Sequence, residues 1–329
     1  MTRPQPENRH APALIALLLI ALLLIPCAAP AQAEDLTLLS MNMWGAGAND
    51  GKTIEETVAV MKATGADIIA AIETVPEPDP CEAGIENCPA GEASRAKDLA
   101  AALGFYYHEF KHNTHVHWAD AILSKYPFGA ETPSGAGVEI DVNGRKVVAY
   151  AMNLNDAPYQ PYQLLNIEYG TFPFLKTAEE AIAAAAATRG PGLAEVLADM
   201  AFEKDAAAQF VMGDFNEPSG LDWTEAAVKA GLQPMVVAWP FTKGLEDAGM
   251  TDTFRATFPD VVAKPGITWT PTTEATDPED HHDRIDFVFA SPGVKVLSAG
   301  IVGERAPEAD LVVTPWPADH RATMAKVRF

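Results

Sequence analysis

Apolar residues fall into short unbroken runs, separated by segments with helical spacing. Residues 36–43 form one such run. Asp67-Ile68-Ile69-Ala70-Ala71-Ile72 forms a second, ending at Glu73. Short, uniformly apolar runs predict strands buried on both faces. Residues 121–124, 207–212, 284–290 and 321–329 read the same way. Residues 53–64 have helical spacing and stop at Gly65, and residues 94–103 stop at Gly104. A glycine just past the last turn is a helix stop signal. Residues 222–230 before Gly231 follow the same pattern. Residues 177–200 are Ala-rich and helical, with a break expected at Gly190-Pro191-Gly192. Residues 138–142 and 145–154 flank Asn143-Gly144, the two-residue link of a type I′ hairpin. Residues 75–91, rich in Pro, Glu and Gly, read as a loop. There is no internal repeat and no Gly/Ser linker, which favours one domain of mixed sheet topology over residues 34–329.

The first 33 residues stand apart and read as a secretory signal. Arg3 and Arg9 supply a basic start, residues 14–25 are Leu, Ile and Ala, and Ala31-Gln32-Ala33 is a small-x-small cleavage site. The apolar run is shorter than the roughly 20 residues of a membrane span, and Pro26 closes it. A secreted or periplasmic location is the expectation, with no stable membrane span. Cys27 leaves with the signal, so Cys81 and Cys88 are an expected disulfide in an oxidising compartment.

Composition narrows the class further. Of the 329 residues 48% are hydrophobic and 21% charged, which excludes a disordered tail or a coiled coil. The net charge of −22, and the lack of a Lys/Arg stripe interleaved with aromatics, disfavour a binder of polyanions through a basic surface.

Several apolar runs end in oxygen-bearing or imidazole side chains. Asn42 and Glu73 end the first two. Gly213-Asp214-Phe215-Asn216 ends another, Asp286 lies in Asp283-Arg284-Ile285-Asp286, and Asp319-His320 precedes the last. Singly these are ordinary turn or strand-end residues. Jointly they place hard oxygen ligands and one imidazole at the rim of a sheet. That set suits Mg²⁺- or Mn²⁺-assisted phosphoryl chemistry, with a carboxylate for the attacking water and a histidine for the phosphate. Tyr159, Tyr162, Trp44 and Trp269 are candidates for a substrate wall or for core. His108, His112, His115 and His117 read as a solvated loop or a second metal site, and His281-His282 as an exposed acidic loop.

These segments resemble the endonuclease/exonuclease/phosphatase superfamily, whose fold is that of deoxyribonuclease I. The likeness rests on Ser40-Met41-Asn42-Met43-Trp44-Gly45, residues 66–73, Ala121-Ile122-Leu123-Ser124-Lys125-Tyr126-Pro127, Gly213-Asp214-Phe215-Asn216, Asp283-Arg284-Ile285-Asp286-Phe287 and Ala318-Asp319-His320-Arg321, in the family's order. The resemblance implies an α/β four-layer sandwich, two packed mixed sheets flanked by helices. It implies Glu73 as main metal ligand, with Asn42 and Asp319 beside it. Asp214 would orient or deprotonate water, and Asn216 would hold that water or a phosphate oxygen. His320 would contact the scissile phosphate, with Asp286 as its partner, and part of the segment carrying His108, His112, His115 and His117 would face the phosphate as well. One departure is Asn153, or in the alternative assignment Asn155, which stands where similar members have a histidine; an amide carries neither a positive charge nor a transferable proton. The resemblance thus implies a secreted, divalent-metal-dependent phosphodiesterase or phosphatase acting on a small or lipid-linked phosphate ester. A secreted nuclease ranks second, and a non-catalytic binding protein, motivated by Asn153, third.

Overall fold

The computed structural model describes residues 1–2, 33–76, 94–110 and 115–329. Glu34–Phe329 packs as one compact unit. The expected signal sequence (apart from its ends), the Cys81–Cys88 pair and His112 lie outside the described residues. No helix among the described residues is long and apolar enough to cross a membrane.

The first sheet has seven strands: β1 (Asp35–Asn42), β2 (Ile68–Ile72), β3 (Tyr106–Glu109), β4 (Ala121–Ser124), β11 (Lys295–Gly303), β12 (Leu311–Val312) and β13 (Ala322–Arg328), in the order β12-β11-β13-β1-β2-β4-β3. The second has six: β5 (Phe128–Glu131), β6 (Gly137–Val142), β7 (Arg145–Asn153), β8 (Ala208–Asp214), β9 (Thr251–Asp252) and β10 (Asp286–Ala290), in the order β5-β6-β7-β8-β10-β9. Leu36, Leu38, Ile68 and Val327 of the first sheet meet Val138, Val147, Phe210 and Val288 of the second in one buried cluster. Alternate residues point outward and are also covered. On the first sheet Leu39, Met41 and Ile69 pack under α1 (Ile54–Thr64) and α2 (Ala96–Leu103). On the second, Tyr150, Val211 and Phe289 pack under α4 (Ala178–Phe202) and α6 (Pro240–Asp247); the short α3 (Gln160–Leu165) precedes α4, and α7 (Thr253–Thr257) follows β9. The result is the four-layer α/β sandwich expected from the sequence. Strands covered on both faces need apolar residues at every position, which is why the pattern is continuous rather than alternating.

Strand direction decides where the polar tips go. β1 and β2 run parallel, so Asn42 and Glu73 leave at one edge. β13 runs antiparallel to β1, so its start, next to His320, comes to that same edge. In the second sheet β7 and β8 run parallel, with Asn153 opposite Asp214, and antiparallel β10 begins at Asp286 opposite Asp214.

Several boundaries differ from the sequence expectation. The expected break at residues 190–192 does not occur, and α4 is continuous with Pro191 inside it. A Cβ at Gly192 would lie 2.7 Å from Val116 Cγ1, so this glycine serves close packing rather than helix termination. Thr177 caps α4 through a reciprocal capping box with Glu180. The helix expected over residues 222–230 shrinks to α5 (Glu225–Lys229), because Asp222 turns inward to pair with Arg255 and Arg284. The Asn143-Gly144 hairpin forms as expected, with φ of 54° and 83°.

Gly213 has the tightest backbone contact relevant to the site. It faces Met152 across β7–β8, and a Cβ there would lie 2.0 Å from the Met152 carbonyl oxygen. Its φ is 141°. Gly213→Ala is therefore expected to cost about 3 kcal/mol, from steric overlap and backbone strain. Urea denaturation measures this; an unchanged midpoint would show that β7 and β8 separate freely at this point.

Candidate active site

The edge where both sheets end opens into a cavity of about 490 Å³. Glu73, Asn153, Asp214, Asn216, Asp319 and His320 line it. Asn42 and Asp286 lie just behind, buried and bonded to lining residues. The structure thus brings together every site residue named from the sequence.

The contacts form one chain. Asn42 donates its Nδ2 protons to Glu73 Oε1 at 2.8 Å and to Asp214 Oδ2 at 3.1 Å. Asp214 Oδ1 accepts the Asn216 amide at 2.8 Å. His320 Nδ1 pairs with Asp286 Oδ2 at 2.9 Å, and its Nε2 lies 3.7 Å from Asp214 Oδ2. Asn216 Nδ2 donates to the Leu154 carbonyl and Asn153 Nδ2 to the Trp118 carbonyl.

Local backbone geometry aims these groups. Glu73 has φ 58° and Asn216 φ 45°, both left-handed. Asn adopts that region readily, whereas Glu does so at about 1–2 kcal/mol. Strain of that kind concentrates where a side chain must be aimed against the run of its strand. Thr268 Oγ1 accepts the Ile285 and Asp286 amides, and Thr323 donates to the Asp286 carbonyl. On the other strand, Thr270 donates to the Asp319 carbonyl and Trp316 Nε1 to the His320 carbonyl.

Electrostatics follow from burial and crowding. Burial, and next the Asp319 carboxylate, push Glu73 up to about 8. Burial pushes Asp214 up to about 7 against the pull of His320. Burial also raises Asp319. Burial opposes the charge on His320, but Asp286 and Asp214 outweigh it and hold the imidazole well above its ordinary range. Three raised carboxylates describe a site short of positive charge.

A hard divalent cation fits that deficit. Glu73 and Asp319 offer carboxylate oxygens at the cavity wall, and Asp319 Oδ1 is buried without a hydrogen-bond partner. Asp214, Asp286 and His320 also converge, with ligand atoms within 4.8 Å of one another. There, however, Nδ1 and Oδ2 already satisfy each other, so the Glu73–Asp319 side fits a cation better.

His115 and His117 reach the cavity, as the resemblance implied for part of the histidine segment, whose residues alone read as a solvated loop or a second metal site; Trp118, which carries no sequence signal, lines it too. His117 is buried and stacks on Phe110 at 4.1 Å between centroids; burial pushes its pKa down to about 4. His115 instead pairs with Glu195. His281 and His282 are not an exposed loop. They are partly buried, His281 bonded to Gln233 and edge-on to the Trp223 ring, and His282 bonded to Thr273. Tyr159 and Tyr162 answer to both readings, lining the cavity while only 5% and 8% exposed.

The chain belongs to the endonuclease/exonuclease/phosphatase family, whose profile matches residues 39–320. Members of that family are hydrolases of phosphoester bonds and generally use divalent metals. The chain is 27% identical over 338 aligned residues to an uncharacterized protein of Caenorhabditis elegans, an alignment covering 96% of this chain and 99% of that one. Among solved structures, an endonuclease/exonuclease/phosphatase from Beutenbergia cavernae matches with TM-score 0.54 and 18% identity, covering 90% of this chain and 72% of that one. A family protein from Leptotrichia buccalis matches with TM-score 0.49 and 16% identity, covering 89% of this chain and all of that one. At such identity the Beutenbergia likeness concerns the fold alone.

The His320–Asp286 pair gives a test of the electrostatics. Because the folded pKa lies above the unfolded value of about 6.5, the pair's stabilisation is full below that pH and is lost as pH rises through the folded pKa. Asp286→Asn removes a raising charge, so the His320 imidazole is expected to titrate at lower pH than in the parent. NMR titration of its ring protons reads this directly; an unmoved curve would mean Asp286 does not set the charge.

Proposed function

We propose that this protein is an exported, divalent-cation-dependent phosphoesterase that hydrolyses a small or lipid-linked phosphodiester. The observation that carries this reading is the hydrogen-bonded chain Glu73–Asn42–Asp214 meeting His320–Asp286 on one open cavity. Export rests on the basic, apolar and small-residue sequence of residues 1–33.

Glu73 and Asp319 would hold the cation, which when bound offsets charge accumulating on the phosphoryl oxygens. Asp214 is poised to take a proton from the attacking water, since a base works best with a pKa near the working pH. The water oxygen bonds to phosphorus, one of its protons passes to Asp214, and the bond to the leaving oxygen breaks. The leaving oxygen takes a proton from solvent. The Asn216 backbone amide fixes the orientation of Asp214. His320, kept cationic by two carboxylates, faces the same space and can donate to a non-bridging oxygen. Asn153 sits opposite Asp214 at the end of β7, where its amide adds a neutral contact in place of a charged one.

Among the described residues, the cavity lining holds no Lys or Arg. A nucleic-acid substrate would need such residues for its flanking phosphates, so a substrate with a single phosphate suits the site better.

Two substitutions test the assignment. Asp214→Asn is expected to lower turnover of a chromogenic phosphodiester about 10³-fold with Mg²⁺ or Mn²⁺, while circular dichroism stays unchanged. Near-normal rates would remove Asp214 from the proposed role. Asn153→His adds an imidazole facing the phosphate and is expected to raise kcat; an unchanged or lower rate would show that Asn153 is not a weakened catalytic position. Chelation by EDTA should stop turnover, and re-addition of metal should restore it.

A further inference from the structure

One wall of the cavity is aromatic and begins at the reaction centre. The Trp269 ring stands 4.9 Å from the His320 ring. Trp269 Nε1 donates to the Tyr162 hydroxyl at 3.0 Å. Tyr162 meets Tyr159 edge-on at 4.9 Å and Tyr169 at 6.0 Å. All four side chains line the cavity.

Each tyrosine hydroxyl is tied back to a carboxylate. Tyr159 donates to Asp283 at 2.9 Å, Tyr162 to Asp280, and Tyr169 to Asp156. What a ligand meets on this wall is therefore chiefly the exposed Tyr169 ring, with Tyr159 and Tyr162 nearly covered beside it and acceptor charge on the hydroxyl side. A phenol donating to a carboxylate gains electron density, which strengthens the attraction of its ring for a cation. The same cavity is lined by four carboxylates, Glu73, Asp156, Asp214 and Asp319, and among its described residues by no Lys or Arg. Four carboxylates and a phosphodiester carry more negative charge than a divalent cation and His320 together supply. A second anionic group on the ligand is disfavoured there and a positive group is favoured.

Resting on the phosphoesterase reading above, we propose that the wall of Trp269, Tyr159, Tyr162 and Tyr169 is a subsite for an organic cation attached to the substrate. The substrate class is a zwitterionic phosphodiester, with its phosphate at His320 and its ammonium group against the rings. An apolar wall backed by donors would take an uncharged leaving group equally well. Three aspartates accepting from three tyrosines favour a cation specifically.

Calorimetry with phosphocholine and with neohexyl phosphate, its uncharged carbon isostere, tests this without requiring turnover. Phosphocholine is expected to bind at least about tenfold more tightly. Tyr169→Ala, at an exposed position, is expected to bring that ratio towards one, whereas Tyr169→Phe keeps the ring and most of the preference. Equal affinity for the two ligands, or a ratio untouched by Tyr169→Ala, overturns the proposal whether or not the enzyme turns over a phosphodiester. Absence of turnover with a preserved binding ratio would instead count against the catalytic reading alone. Tighter binding of a nucleoside phosphodiester than of phosphocholine also overturns it. The source of the cation is read by comparing p-nitrophenyl phosphorylcholine in solution with phosphatidylcholine vesicles. Hydrolysis of the vesicle lipid identifies a lipid headgroup, and hydrolysis of the soluble ester alone identifies a free one; either supports the subsite.

Discussion

Two buried carboxylates flank one imidazole, and the remainder of the site is arranged around that contact. Asp214 and Asp286 face each other across β8 and β10, and two carboxylates this close call for a positive group between them. His320 supplies it from the other sheet, through a 2.9 Å contact to Asp286 and a 3.7 Å approach to Asp214. The contact therefore joins the two sheets electrostatically at the edge where their apolar core ends. It needs both sheets in register, since a one-residue slip of β10 would turn Asp286 into the opposite face. The fold and the site are in this sense a single constraint.

Behind that contact lies a tier of buried ion pairs that holds the site-bearing loops. Arg284 is fully buried and joins Asp222 to Asp252, and Arg255 joins the same Asp222. Burial of these charges is tolerated because nearly every polar atom has a partner. The network anchors the segment just before Asp286, where thermal motion would otherwise shift the carboxylate. Arg189 does the same for the opposite wall. From α4 it donates to the carbonyls of Asn155 and Pro158 and to Gln160, fixing the turn that presents Tyr159. That role explains why α4 runs unbroken past Pro191: Arg189 is needed in the middle of a rigid rod, and Gly192 lets the 115–116 segment pack against it.

The parts of this structure that were legible in the sequence share a physical cause. Strands buried on both faces leave a continuous apolar run, and a polar residue at the end of such a run is conspicuous, so Asn42, Glu73, Asp214 and His320 could be found. The Asn143-Gly144 hairpin is local chemistry and formed as read. What was missed depends on contacts distant in sequence. β3, β5, β9 and β12 are short edge or near-edge strands with little apolar signal of their own. His117 reads as a polar loop residue, yet stacking on Phe110 buries it at the cavity. Tyr159 and Tyr162 were legible only as candidates for a substrate wall or for core, and Tyr169 not at all, because their three aspartate partners lie 13 to 124 positions away. No spacing rule connects such pairs.

The negative charge of the whole chain acquires a local meaning from these contacts. At the sequence level an excess of Asp and Glu speaks to solubility and to repulsion of polyanions. In the fold, part of that excess is concentrated in one cavity, at Glu73, Asp156, Asp214 and Asp319, and just behind it at Asp280, Asp283 and Asp286. Carboxylates grouped this closely destabilise one another unless something positive enters. His320 meets only a fraction of the demand. An anionic phosphate by itself is therefore repelled by this cavity, and its admission depends on positive charge arriving with it. Some of that charge can come from a cation held by Glu73 and Asp319, and the aromatic wall offers a second place for it, on the ligand. The acidity that argues against a polyanionic partner is thus compatible with a single phosphate accompanied by its own counter-charge.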